Sequence, residues 1–177
     1  MAFGPLKIRL YGDPCLEAKS KAVKEVGPVE RMLIAAMFET VIACKGVGLA
    51  APQVGINEQI FVVDTGKEVF AAVNPKIIKT TGKEIMEEGC LSIPRVLVEV
   101  KRAKTVWVEF TDQENAQVRA QLNGLTAKVF QHEYDHLQGK LILDYLGPKD
   151  RAKILSQMKK GSLTGEFLDD DDNRKRI

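Results

Sequence analysis

The sequence predicts an α+β fold, with mostly antiparallel β-sheets packed around a central helix and one further helix towards each end of the chain. Three observations carry that expectation. A helix-length apolar run opens at Gly27, short β-branched segments fill residues 46–124, and a second helical segment then holds both histidines of the chain, in QHEYDHL at 131–137.

The first helix is expected over residues 27–45. It opens with GPVE, which places proline in the first turn. In RMLIAAMFETVIACK, Leu33, Met37, Val41 and Cys44 recur at helical spacing beside a second row of Ile34, Phe38 and Ile42, so a largely buried helix is expected. The segments QIFVVD, EVFAAVN, VLVEV, TVWVEF and QVRAQL are short, rich in β-branched residues and separated by turn formers such as Asn74, Pro75 and Gly82. A second helix is expected over about 125–138, ended by Gly139. One stripe, Ala127, Phe130, Tyr134 and Leu137, suits the core, while Leu125, Val129, His132 and His136 form another. A third helix is expected from Pro148 to about Lys160, with Ile154, Leu155 and Met158 inward and lysines outward. One catalytic domain is expected over residues 1–165, and 166–177, rich in charge, reads as a disordered tail.

With 177 residues, 45% hydrophobic and 28% charged, the composition is that of an ordinary globular chain, and a net charge of +2 is too balanced to argue for DNA as a partner. MAFGPLKIRL lacks the apolar core of a secretory signal and no later run is long enough to cross a bilayer, so a cytoplasmic protein without membrane contact is expected. The three cysteines, 15, 44 and 90, are an odd number without an export signal; a disulfide framework is not expected and a thiolate stays available.

The run at 131–137 has the pattern HExxH. On a helix His132 and His136 lie one turn apart on the same face, so two imidazoles can close on one cation with Glu133 beside them. A third protein ligand must come from elsewhere, and Cys90 is the best candidate, although a single cysteine is more commonly a small buried hydrophobe. Two imidazoles and a thiolate leave a coordination position for water, which the cation acidifies, and Glu133 is placed to take the proton and later deliver it to a leaving amine. In GVGLAAPQ at 46–53, Gly46 and Gly48 allow close approach of backbone to a ligand and Gln53 offers an amide donor for an oxyanion; a plain glycine turn after a helix reads equally well from spacing alone.

GVGLAAPQ at 46–53, EEGCLSIP at 87–94 and QHEYDHL at 131–137 are three motifs in order, and with them the chain resembles the peptide deformylases over nearly its whole length. The resemblance implies Cys90, His132 and His136 as metal ligands, Glu133 as the catalytic carboxylate, and Gln53 with the backbone N–H of Leu91 as donors to the formyl oxygen. It implies Fe²⁺ as the physiological ion, with Zn²⁺ or Ni²⁺ able to occupy the same ligands, and N-formyl-methionyl peptides as substrates, laid as an added strand beside Gly46, Val47 and Gly48. Val47, Met86, Leu125 and Val129 are candidate walls of a methionine pocket, each equally credible as ordinary core, and Lys128 stands out in the otherwise apolar stretch near them. By resemblance Glu88 pairs with Arg102 to brace the EGCLS segment, and bacterial members act on nascent chains at the ribosome. The basic helix with Lys149, Arg151, Lys153, Lys159 and Lys160 is a candidate docking element there, against the plain reading of a solvated amphipathic helix. An organellar protein is compatible with the same residues. The competing readings are a zinc endopeptidase, which shares HExxH, and a binding module whose metal is closed by a fourth ligand from Cys15, Cys44 or a carboxylate.

Overall fold

The computed structural model describes residues 4–159. Three α-helices and seven strands follow one another as α1 (Pro28–Ala43), β1 (Gly48–Ala50), β2 (Ile60–Asp64), β3 (Val69–Thr81), β4 (Glu84–Cys90), β5 (Ile93–Arg102), β6 (Thr105–Thr111), β7 (Gln117–Asn123), α2 (Gly124–Leu137) and α3 (Pro148–Lys159). Every strand pairing is antiparallel: one sheet has the order β1-β2-β3-β6-β7, and β4 with β5 forms a separate hairpin. The expected α+β architecture is therefore present.

The period of the strands explains how the larger sheet is covered on both faces. In β2, Ile60 and Val62 point to one side and Phe61 and Val63 to the other, so a continuous apolar run is buried twice over. Ile60 and Val62 join Ile34, Met37 and Val41 of α1, while Phe61 and Val63 join Ala127, Val129 and Phe130 of α2. Phe61 and Phe130 meet edge to face, with ring centroids 4.9 Å apart. The third cluster gathers Val96, Val98 and Val100 of β5 with Leu141, Ile142 and Leu143, and Ile154, Leu155 and Met158 of α3 pack on it as the helical spacing predicts.

Several expectations change. α1 buries only Ile34, Ala36, Met37, Thr40 and Val41, and Ile42 is 67% exposed: the sheet covers one side of the helix and nothing among the described residues covers the other. Asn74 and Pro75 do not separate strands. β3 runs through them by a register shift against β6, which accommodates a proline without an N–H and lets Asn74 take φ 50°. The Asn74 side chain there accepts from Val23 N–H at 2.9 Å and donates to Val23 C=O at 2.7 Å, pinning the N-terminal arm to the sheet. β1 and β4 were not among the expected strands. The anticipated tail at 166–177 and the last position of the third helix lie outside the described residues.

Candidate metal centre

α2 presents its HExxH turn to the space between the large sheet and the β4–β5 hairpin. His132, Glu133 and His136 are 2%, 1% and 1% exposed, and Cys90, at the end of β4, is 1% exposed. The ligand atoms of Cys90, His132 and His136 all lie within 4.8 Å of one another, and Cys90 Sγ is 3.3 Å from His136 Nε2. Among the described residues no other His, Cys, Asp or Glu completes this group; Cys15 and Cys44 are only half-buried and stand apart from it, so neither closes the site as a fourth ligand.

The hairpin supplies more than the thiol. Its alternation puts Val96, Val98, Val100 and Arg102 on one face of β5, so Arg102 is carried into the interior by the same period that buries the valines. There it donates two bonds to Glu88, from Nε at 2.7 Å and Nη2 at 2.8 Å, and from Nη1 to Asp135 at 2.6 Å and Tyr145 at 2.8 Å. Tyr145 in turn donates to Asp135 at 2.6 Å. Glu88 Oε2 also lies 3.0 Å from His132 Nδ1. A carboxylate there takes the Nδ1 proton as a hydrogen bond and leaves the Nε2 lone pair for a cation. The Glu88–Arg102 pairing expected by resemblance is thus formed, and Asp135 and Tyr145, which no motif signalled, complete it. The i+3 position of Asp135 from His132 on α2 was the available clue.

The electrostatics favour a positive charge at this point. Burial opposes protonation of His132, but the nearby Cys90 thiol, the hydrogen bond to Glu88 and the charge of Glu133 outweigh it and push the imidazole up to about 10. His136, with burial and then the charge of His132 against it, is held well below the usual range and stays neutral. Burial pushes Glu133 up to about 7, against the pull of His132. Buried polar atoms are normally paired; yet His132 Nε2, His136 Nδ1 and Glu133 Oε2 have no hydrogen-bond partner among the described residues. One thiol, two imidazoles and these unpartnered atoms fit a divalent cation with an exchangeable water.

β1 closes the other side. A Cβ on Gly48 would collide with Glu133 Oε1 and come within 2.8 Å of Val129 Cγ1, so the missing side chain makes room for the catalytic-type carboxylate itself, in addition to any ligand. After β1 a short 3-10 turn, Ala51–Val54, brings in Gln53, 1% exposed. Its Oε1 accepts from Ala50 N–H at 2.8 Å, which turns Nε2 towards Cys90 Sγ at 3.5 Å and Ser92 Oγ at 3.3 Å. Ser92 was not singled out in the sequence. Leu91, 3% exposed, lies in the tight turn between paired Cys90 and Ile93, and a Cβ on Gly46 would meet its Cδ1 at 3.2 Å. Val47 and Met86 are half-buried against the cluster that contains Val129, whereas Leu125 is 43% exposed and is not gathered with them.

An α+β scaffold that brings a thiol and the two imidazoles of HExxH together beside a buried carboxylate defines a metal-dependent hydrolase. Residues 5–152 match the family model described as polypeptide deformylase. The peptide deformylase of Pseudothermotoga lettingae is 47% identical over 154 residues, 86% of this chain and 89% of that one. The crystal structure of a peptide deformylase from Legionella pneumophila superposes with a TM-score of 0.85 at 36% identity, covering 90% of this chain and 96% of that one. One from Synechococcus elongatus, in complex with actinonin, gives 0.83 at 35% identity over 95% and 92%. The chain belongs to the polypeptide deformylase family.

Proposed function

We propose that this chain removes the formyl group from N-formyl-methionine at the start of newly made polypeptides, releasing formate, and that Cys90, His132 and His136 hold the cation that the family uses. The convergence of these three buried donors within 4.8 Å supports the reading best. The family resemblance favours Fe²⁺, with Zn²⁺ or Ni²⁺ as substitutes. When bound, the cation supplies Lewis acidity for the attacking water and the formyl oxygen.

Everything else is done by side chains and backbone. Glu133, buried beside the histidines and raised towards neutrality, takes a proton from water and delivers it to the departing nitrogen. Gln53 Nε2, its amide fixed by Ala50 N–H, and the N–H of Leu91 receive the charge that develops on the formyl oxygen. The backbone of Gly46, Val47 and Gly48 pairs with the extended substrate, since β1 is an edge strand of the five-stranded sheet. Cytoplasmic nascent chains are the natural substrates, and the exposed Lys149 and Lys153 of α3 support docking at ribosomal phosphate.

The test is an E133A variant purified without oxygen. It is expected to retain its metal, measured by elemental analysis, and to lose about 10³-fold or more in formate release from an N-formyl-methionyl peptide. Metal retained with turnover intact would refute the assignment, and cleavage of internal peptide bonds by the wild-type protein would favour an endopeptidase.

A further inference from the structure

β4 is fastened to α2 at two heights. At the inner one, Glu88 meets His132 at 3.0 Å and is gripped by Arg102. At the outer one, Lys128 Nζ lies 2.7 Å from Glu84 Oε2. The two rungs are in step, because residues 84 and 88 share a face of β4 and 128 and 132 are one turn apart on α2. Met86 shares that strand face between them and packs on the cluster containing Val129, whose Cγ1 faces Gly48 beside Glu133. Lys128 is only 9% exposed, and an ammonium is retained in such a place only when paired.

We propose that the Lys128–Glu84 ion pair is a specificity-determining strut, which sets the gap between β4 and α2 and with it the width of the methionine pocket that the family resemblance implies beside Met86 and Val129. The inference rests on the deformylase reading above. Lys128 and Glu84 are positioning residues that act through Met86. The inner rung is reinforced by the buried Arg102, while the outer rung is a single ion pair with a half-exposed carboxylate, so its loss widens the pocket without displacing Cys90 or His132.

K128M, E84Q and the exchange E84K/K128E, each checked for metal content, would be assayed on N-formyl tripeptides beginning with methionine, norleucine or phenylalanine. In the single variants kcat on the methionyl peptide is expected within about twofold of wild type, with KM raised and the preference for methionine over phenylalanine reduced about tenfold. The exchange is expected to restore most of that preference. Unchanged preference in both single variants at full metal content overturns the strut, as does an equal loss of kcat on all three peptides. No formate from any peptide with the wild-type protein refutes the underlying deformylase reading instead.

Discussion

Glu88 serves His132 and Arg102 with two oxygens, and its ionisation carries a measurable consequence. Burial works against its charge, but hydrogen bonds from Arg102 and His132 prevail and hold it down at about 2. A carboxyl depressed on folding stabilises the native state above its unfolded pKa of 4.5, and that contribution disappears as the pH falls through 4.5 towards 2. The depression corresponds to a stabilisation on the order of 3 kcal/mol. Urea unfolding at pH 7 and pH 3 should therefore show a marked acid loss in the wild type and a smaller one in E88Q, which begins from a lower stability at pH 7. His132, Glu133 and His136 were legible as a set because one motif places them, and Cys90 became legible only through the separate EEGCLSIP motif and the resemblance it carries. Asp135, Tyr145 and Ser92 were not, since their roles come from a strand and a turn folding back on α2.

Elements were legible where period and burial coincide. α2 alternates polar and apolar positions at helical spacing, and its limits agree with the expectation to within one residue. β4, EIMEEGC, gave no strand signal because its inward positions carry charge that only the fold neutralises, and β1 is three residues with a glycine. β1 must nevertheless lie close on α2. G48A should force Glu133 and Val129 apart, lowering stability by about 1–3 kcal/mol in denaturant unfolding and reducing turnover disproportionately to any change in KM. N74A removes both side-chain bonds to Val23 and leaves alanine at φ 50°, so a loss of about 2 kcal/mol is expected from the same measurement, with activity at saturating substrate unchanged.

Across the whole molecule the donors come from different bodies of structure: Cys90 belongs to the cluster under the hairpin and α3, while the histidines ride on the helix packed against the five-stranded sheet. A cation held there, as proposed above, would therefore add to global stability by mass action. At about 1,000 times Kd it contributes about 4 kcal/mol, so chelation should lower Tm by roughly 10 °C. C90A should show little difference between chelated and metal-supplemented samples in calorimetry. The fold class could be read from helical spacing and strand composition, but this bridging could not, because it depends on which separate packing units the topology brings face to face. The hairpin shares no ladder with the larger sheet and is held to α2 by side chains, with a backbone bond from Tyr11 N–H to Ser92 C=O at its turn, so its seam with α2 is the natural line of parting. A cation held by Cys90, His132 and His136 would then leave as the hairpin parts from α2, and deuterium uptake at the Glu88–Cys90 amides is expected to keep pace with metal release.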